Sequence, residues 1–261
     1  MNISLNNKKA LIGGSSDGIG KAIAVQLAES GANVTVMARN AHKLKEVVAQ
    51  LPKNGAQHHQ YLVVDFSNFE QYKTILSTYF EENTVDILVN NTQGPAAGNT
   101  LEKSTVDYQE AFNLLFKTVV FTTELALKGM RKNRWGRIIN VASIAVKEPL
   151  SYLALSNTIR AAVVTWAKSL AHDVGADRIT VNSILTGYFD TARIAQLNAK
   201  KAKEMGVSEM EVRTEMEGKV PLQRIGNPEE YGYLVAFLAS DRAAYITGTQ
   251  IPLDGGLLKS L

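Results

Sequence analysis

A glycine-rich turn near the amino terminus, Gly13–Gly20, has residue types and spacing that suit the binding of an anion. It lies between a short apolar run and a helical pattern. Gly14 permits a tight turn, Gly18 lets the backbone approach a pyrophosphate, and Gly20 lets a helix lie close to a strand. The helix that begins here has free N–H groups and a dipole that favour an anion, so the turn predicts a dinucleotide site. A glycine turn without a ligand is the alternative. The residues assigned to the site are Gly14, Ser15, Ser16, Asp17, Gly18, Ile19 and Gly20.

The end of the second predicted strand distinguishes NADP from NAD. An acidic residue there would bond a ribose 2′-hydroxyl and repel a 2′-phosphate, but the chain has Ala38 followed by Arg39. A guanidinium can hold a phosphate through two charge-assisted hydrogen bonds. Arg39 therefore predicts NADP over NAD, with a solvated loop arginine as the alternative. The acidic Asp17 in the glycine turn counts against this preference.

Short β-branched runs alternate with longer helical patterns along the chain. Strands are predicted over Lys9–Gly13, Asn33–Ala38, Tyr61–Asp65, Asp86–Asn90, Arg137–Ala142, Thr180–Leu185 and Gln250–Leu253. Helices are predicted over Ile19–Ser30, Ala41–Gln50, Glu70–Phe80, Thr105–Lys132, Ser151–Val174 and Glu229–Ala239. This alternation predicts an α/β fold with right-handed crossovers and a parallel sheet covered on both faces. A single domain over residues 1–261 accounts for the pattern.

A charged helical segment, Thr191–Gly218, interrupts the alternation before the last helix. A helical excursion at this point predicts a lid over a pocket, with a helical pair on the surface as the alternative.

The chain resembles the short-chain dehydrogenase/reductase family over essentially its whole length. Its glycines follow the spacing Gly-x-x-x-Gly-x-Gly rather than Gly-x-Gly-x-x-Gly. Other positions that match family motifs are Asp65, Asn90-Asn91, Ser143, Ile246-Thr247-Gly248 and Asp254-Gly255-Gly256. The resemblance implies a Rossmann-type, doubly wound sheet of strand order 3-2-1-4-5-6-7, usually in tetramers.

The same resemblance implies where the rest of the cofactor would lie. Asp65 and Phe66 would border the adenine, and Asn90 would line the nucleotide path. The dipeptide Thr186-Gly187 and the later Thr191 would border the nicotinamide end.

Family members reduce carbonyl groups with an asparagine, a serine, a tyrosine and a lysine. Asn113, within the helix predicted over Thr105–Lys132, matches the asparagine, and Ser143 after the fifth strand matches the serine. The alternatives are a polar group bonded inside a helix for Asn113 and a turn-capping serine for Ser143.

The family's Tyr-x-x-x-Lys pair is replaced in this chain. The family spacing places Ser156 at the tyrosine and Arg160 at the lysine, on one face of a helix. Arg160 can bond ribose hydroxyls and keep positive charge near the nicotinamide, or it can be a structural arginine. An aliphatic hydroxyl is a far weaker acid than a phenol of pKa about 10, so it is a poor proton donor near neutrality.

Three groups are candidates to replace the phenol. Tyr152 precedes Ser156 by one turn, but helical side chains lean toward the amino terminus and would carry its hydroxyl away. Tyr188 follows Gly187, and a water held by Ser156 is the third candidate. The departures from the family pattern mark an atypical subgroup resembling 3-oxoacyl-[acyl-carrier-protein] reductases.

These observations leave three functional hypotheses. The first is an NADP(H)-dependent oxidoreductase that interconverts a ketone and a secondary alcohol, with a 3-oxoacyl-type substrate as the nearest analogy. The second is a catalytically weakened nucleotide-binding sensor or assembly partner, which Ser156 motivates. The third is a dehydratase or isomerase that uses the same cofactor.

Composition excludes other classes of function. The 261 residues include no cysteine, so disulfides and thiolate metal sites are excluded, and no histidine pair has the spacing of a zinc motif. The net charge of +3 is small, and the lysines around position 200 interleave with glutamates as on a solvated helical face, which argues against a nucleic-acid partner. No apolar run reaches membrane-spanning length or forms a signal peptide, so we expect a cytoplasmic protein with no membrane partner. Its expected partners are a small-molecule carbonyl or alcohol and further copies of itself, as a homotetramer or homodimer.

Overall fold

A parallel sheet with helices on both faces forms the body of the protein. The structure, a computed structural model, describes residues 3–53 and 55–260. Within those ranges seven strands pair in the order β3-β2-β1-β4-β5-β6-β7, and every pairing is parallel. The predicted Rossmann-type architecture is confirmed. Residues 1, 2, 54 and 261 of the domain predicted over 1–261 lie outside the described residues.

The observed elements follow the predicted alternation closely. The strands are β1 Lys9–Ile12, β2 Asn33–Ala38, β3 Gln60–Val63, β4 Ile87–Asn90, β5 Gly136–Val141, β6 Ile179–Thr186 and β7 Gln250–Leu253. The helices are α1 Gly18–Glu29, α2 Ala41–Gln50, α3 Phe69–Glu82, α4 Thr105–Phe112, α5 Thr118–Asn133, α6 Ala154–Val174, α7 Ala192–Met205, α8 Glu209–Lys219 and α9 Pro228–Ala239.

Two apolar layers hold the helices to the sheet. Leu27 of α1, Leu44 of α2 and Val235 of α9 are fully buried on one face of the sheet. Leu76 of α3, Met130 of α5 and Val174 of α6 are fully buried on the other. Burial on both faces explains why the central strands are apolar without alternation, because neither side of such a sheet contacts water.

The long helix predicted over Thr105–Lys132 is interrupted. A π-helical segment, Asn113–Lys117, joins α4 to α5, so the chain contains one wide turn where regular spacing was expected. The Thr118 hydroxyl donates to the carbonyl of Leu114 at 2.7 Å inside this wide turn. Such π-helical turns are rare and recur at functional sites.

Two element boundaries differ from the prediction in ways that affect the site. The strand predicted over Tyr61–Asp65 ends at Val63, so Asp65 lies in a turn where its carboxylate accepts hydrogen bonds from Ser67. The helix predicted to begin at Ser151 begins at Ala154. Tyr152 therefore precedes the helix instead of lying on its first turn.

The excursion predicted over 191–218 consists of the helix pair α7 and α8. Thr191 caps α7 by accepting a hydrogen bond from the N–H of Ile194 at 3.4 Å. Arg213 of α8 binds Asp190, the residue before this cap, through two hydrogen bonds of 3.0 and 3.2 Å. The pair is therefore anchored beside the carboxyl end of β6. Among the described residues, no helix is both long enough and apolar enough to cross a membrane.

Arg137 connects the amino end of the interior strand β5 to the residue that follows α9. Its side chain is 3% exposed, and its guanidinium donates to the carbonyls of Gly136 at 2.9 Å, Arg178 at 3.3 Å and Ser240 at 3.4 Å. It also lies over the Trp135 ring at 4.3 Å. The guanidinium thus ties three backbone carbonyls together, and its Nη2 also donates to the carboxylate of Asp241 at 3.2 Å.

Replacing Arg137 by Met should lower the free energy of unfolding by about 3 kcal/mol, because buried carbonyls lose their donors while the apolar stem is kept. Chemical denaturation measures the loss. Arg242→Leu is the control, since Arg242 is exposed on the neighbouring turn and should change stability by less than about 0.5 kcal/mol. Equal unfolding midpoints for the two variants would contradict this role for Arg137.

Candidate active site

One elongated cleft runs across the carboxyl ends of the strands and encloses about 560 Å³. The carboxyl ends of parallel strands meet at one edge, so the turns after them converge there. The glycine turn after β1 lines the cleft, as do the residues that follow β2, β4, β5 and β6. The first turns of α7 close one side.

The glycine turn presents bare backbone to the cleft. Gly14 has a φ of 55°, in the left-handed region that favours glycine. A side chain on Gly20 would place its Cβ 2.2 Å from the carbonyl oxygen of Gly14, so helix and turn touch backbone to backbone. The Asn91 amide donates to the carbonyls of Gly13 and Gly14 at 3.0 and 3.3 Å and fixes the turn from the β4 side. This cradle suits a pyrophosphate at the start of α1.

Ser15 does not have the position that the sequence analysis assigned to it. Its side chain is completely buried and its hydroxyl donates to the carbonyl of Ile12 at 2.8 Å. The same oxygen accepts a hydrogen bond from the N–H of Met37 at 2.9 Å. Ser15 therefore joins β1 to β2 beneath the turn, while Ser16, Asp17, Gly18 and Ile19 line the cleft.

Arg39, Asn40 and Lys43 line the end of the cleft beyond β2. Asn40 caps α2 by accepting a hydrogen bond from the N–H of Lys43 at 3.0 Å. The ammonium of Lys43 donates to Asp17 at 3.2 Å. Burial raises the pKa of Asp17, but hydrogen bonds from Gly18 and Lys43 outweigh it and hold that pKa below the usual value.

Two residues assigned to the nucleotide path lie outside the cleft lining. The Asp65 carboxylate is used by Ser67, while the adjacent Phe66 ring lines the cleft. The Asn90 amide donates to Asn140 at 2.9 Å and to Thr123 at 3.2 Å. Asn90 therefore links β4 to β5 through its hydrogen bond to Asn140. The neighbouring Asn91 and Thr92 line the cleft instead.

Three polar side chains meet at the other end of the cleft, which lies at the ends of β5 and β6. Ser143, Ser156 and Arg160 all line it there. The Ser143 oxygen accepts a hydrogen bond from the N–H of Ala145 at 3.1 Å, which leaves its own proton to donate. The Ser156 oxygen accepts a hydrogen bond from Nε of Arg160 at 3.3 Å. The predicted pairing of positions 156 and 160 on one helix face is present.

Arg160 is held by the end of β5. Its Nη1 donates to the carbonyl of Val141 at 2.5 Å. Burial lowers the pKa of Arg160 from its usual value, yet an arginine stays protonated in proteins. The cleft therefore has a fixed positive charge directly beside the hydroxyl of Ser156.

Asn113 and the two candidate tyrosines do not line this cleft. Asn113 opens the π-helical segment, and its side-chain oxygen accepts a hydrogen bond from Gln109 at 3.1 Å. Tyr152 is 45% exposed, and burial of its hydroxyl together with the nearby Tyr188 raises its pKa to about 12. Position, rather than acidity, separates Tyr152 from the group formed by Ser143, Ser156 and Arg160, since Tyr152 lies outside the cleft lining.

The segment after β6 lines the same cleft as Ser156. Gly187 lies against Asp254, where a Cβ would come within 2.6 Å of that residue. Thr191 borders both the cleft and Gly18, because a Cβ on Gly18 would lie 3.1 Å from its methyl group. The first half of α7 adds the apolar side chains of Ile194 and Leu197 beside the guanidinium of Arg193.

Several lining residues were missed by the sequence analysis. They are Asn40, Lys43, Asn91, Thr92, Gln93, Leu153, Phe189, Arg193, Ile194 and Leu197. Asn91 had a signal, since it stands in the Asn90-Asn91 motif. Lys43 had none, because its relation to Asp17 depends on how α2 packs beside α1.

Comparison with known proteins agrees with the dinucleotide-binding geometry of the cleft. Residues 14–258 match the family described as "Enoyl-(Acyl carrier protein) reductase". The 3-oxoacyl-[acyl-carrier-protein] reductase FabG of Pseudomonas aeruginosa is 32% identical over 99% of this chain and 100% of its own length. The NADPH-dependent reductase BacG of Bacillus subtilis is 29% identical, with 98% of this chain and 100% of BacG covered.

A solved structure has nearly the same backbone. L-Sorbose reductase from Gluconobacter frateurii, crystallised with NADPH and L-sorbose, has a TM-score of 0.93 and 31% identity, and the match covers 100% of both chains. Full-length similarity of sequence and structure, together with the glycine-turn cleft, confirms the resemblance stated above. The chain belongs to the short-chain dehydrogenase/reductase family.

Proposed function

We propose that the protein is an NADP(H)-dependent oxidoreductase that interconverts a ketone and a secondary alcohol. The observation that carries the proposal is the continuous cleft that joins the glycine turn to Arg39 at one end and to Ser143, Ser156 and Arg160 at the other. A dinucleotide needs a binding region for its pyrophosphate in the middle of the cleft and a separate binding region for a base at each end. The cleft has this arrangement.

The residues of the cleft fit the cofactor. A bound nicotinamide supplies or accepts the hydride, which is chemistry that no side chain of the protein can perform. Gly14, Gly18 and Gly20 line the cleft with backbone at the start of α1, where a diphosphate would bind, and Arg39 provides the charge that a 2′-phosphate requires. The relatives BacG and L-sorbose reductase are themselves described with NADPH, which favours NADP here.

Ser143 holds the substrate carbonyl in this proposal. Because its oxygen already accepts the Ala145 N–H, its own proton points toward other acceptors in the cleft. A hydrogen bond from this hydroxyl polarises a carbonyl group and stabilises the negative charge that develops on its oxygen.

Ser156 and Arg160 take over the proton step. The Nε–H of Arg160 stabilises negative charge on the Ser156 oxygen, and that oxygen can pass its proton to a developing alkoxide. The donor remains weaker than a phenol, so turnover is slower than a tyrosine would allow. Tyr152 and Tyr188 lie outside the cleft lining and have no part in this step.

The substrate end of the cleft favours a ketone with an apolar portion. Leu153, Phe189, Ile194 and Leu197 line it beside the serine hydroxyls. FabG is named for 3-oxoacyl substrates and the sorbose reductase for a sugar ketone. The apolar lining favours the 3-oxoacyl type. The helix pair at 191–218 acts as the lid, since its first helix forms this wall.

The expected activity is NADPH oxidation that depends on a ketone. A short-chain 3-oxoacyl thioester and L-sorbose are the two substrates to compare, with absorbance at the reduced-nicotinamide band as the measurement. We expect turnover with the thioester, because the lining is apolar. Cofactor binding without oxidation across ketones would contradict the proposal and favour a nucleotide-binding sensor.

Replacing Ser156 by Ala should lower kcat about 100-fold or more, because the positioned hydroxyl is lost. The affinity for NADPH, measured by fluorescence titration, should stay the same. Tyr152→Phe is the matched control and should keep full activity. A loss of activity in Tyr152→Phe instead would identify that phenol as the donor and overturn the role of Ser156.

Aromatic side chains from the α4–α5 segment and from α6 form a surface that suits assembly into a homodimer or homotetramer. Phe112 is 38% exposed and stacks on Phe116 with ring centroids 5.0 Å apart, and Trp166 meets Phe116 edge-on at 6.1 Å. An aromatic cluster at the surface favours contact with a second copy.

Sedimentation velocity should show a dimer or tetramer that Phe112→Glu shifts toward the monomer, because a charge would be buried in the contact. Met210→Glu changes an exposed residue of α8 and should leave the distribution unchanged. A monomer at all concentrations of the unchanged protein would rule out this assembly.

A further inference from the structure

The cleft places an acidic side chain at the end where a phosphate is expected. Asp17 lines it together with Arg39 and Lys43. A carboxylate beside a doubly charged phosphate is unfavourable unless a cation separates them. Arg39 alone does not explain how a site with Asp17 in it would accept NADP.

The position of Asp17 is fixed by the fold. One carboxylate oxygen accepts a hydrogen bond from the N–H of Gly18 at 2.8 Å, as the cap of α1. Its second oxygen accepts a hydrogen bond from Lys43 at 3.2 Å. Because the cap holds the carboxylate at the mouth of the turn, its charge cannot move away when the site fills.

Lys43 is fixed at its backbone, and its ammonium makes one hydrogen bond, to Asp17. Its N–H is bonded to the Asn40 side chain in the first turn of α2, so the stem starts beside Arg39. Its side chain is 51% exposed. An ammonium has three donors, so Lys43 can keep one hydrogen bond to Asp17 and offer the others to a phosphate.

We propose that Lys43 is a second cationic ligand of the cofactor 2′-phosphate and that it also cancels the charge of Asp17. Preference for NADP over NAD then depends on the Asp17–Lys43 pair together with Arg39. The inference rests on the proposed function, because it deepens the description of the same cofactor site.

A purely structural role for the pair is the competing explanation. Both side chains are more than half exposed, at 57% for Asp17 and 51% for Lys43. Ion pairs exposed to that degree contribute little to folding stability. Lys21 provides a comparison, since it is also close to Asp17 but binds Gln50 at 3.0 Å and lines the neighbouring groove between α1 and α9, which shares Asp17 with the cleft.

The test measures dissociation constants of NADPH and NADH for the full chain by fluorescence titration. Lys43→Ala should weaken NADPH binding about 10- to 100-fold, the range for loss of a hydrogen bond to a charged group. NADH binding should change little, because it has no 2′-phosphate. Lys21→Ala, which removes a neighbouring cation of the same type, should leave the affinity for both cofactors nearly unchanged.

A second substitution separates the two roles of Lys43. Asp17→Asn in the Lys43→Ala background should recover part of the lost NADPH affinity, because an uncompensated carboxylate is removed while the cap hydrogen bond is kept. Thermal unfolding should give similar midpoints for all variants, which shows that they fold.

Other outcomes would overturn the inference. Equal losses for NADPH and NADH in Lys43→Ala, or equal losses in Lys43→Ala and Lys21→Ala, would remove the specific role of Lys43. Failure of Asp17→Asn to recover affinity would remove the charge-cancelling role. Failure of the unchanged protein to bind either cofactor would instead refute the proposed function, so the two failures are distinguishable.

Discussion

The contact between Gly20 and the carbonyl of Gly14 is the constraint on which the rest of the site depends. It brings the first helix against the first strand without an intervening side chain. The helix can then begin immediately at the sheet edge, with its unbonded N–H groups directed into the cleft. A bulkier residue at position 20 would push the helix away and separate these groups from Arg39 and from the ends of the other strands.

The reacting end of the cleft shows how a changed pair of side chains can keep the arrangement of charge while losing acid strength. Arg160 retains a fixed cation beside a hydroxyl, and the carbonyl of Val141 holds it in place. Ser156 retains a proton at that position but not the acidity of a phenol. In the proposed function, the proton step therefore relies on a weaker acid than the phenol of the family pattern.

The sheet was predictable because strands buried on both faces leave a strong apolar signal. Ile138 and Ile139 of β5 are almost completely buried, and no polar alternation obscures the strand. The π-helical segment was not predictable, since one additional residue in a turn leaves the apolar residues Leu114 and Leu115 in a sequence that still resembles a regular helix. Residue types alone also misplaced Ser15. A hydroxyl in a glycine turn suggests a ligand, but its partner Met37 lies 22 residues away.

Thr191 touches the glycine turn and also begins the helix that covers the substrate end. The glycine turn, where the diphosphate is proposed to bind, and α7, which lines the proposed substrate end, are therefore connected through a single residue. Within the proposed function, a diphosphate bound at the glycine turn would lie beside the residue that begins α7, so a single side chain connects the cofactor half of the cleft with the substrate half.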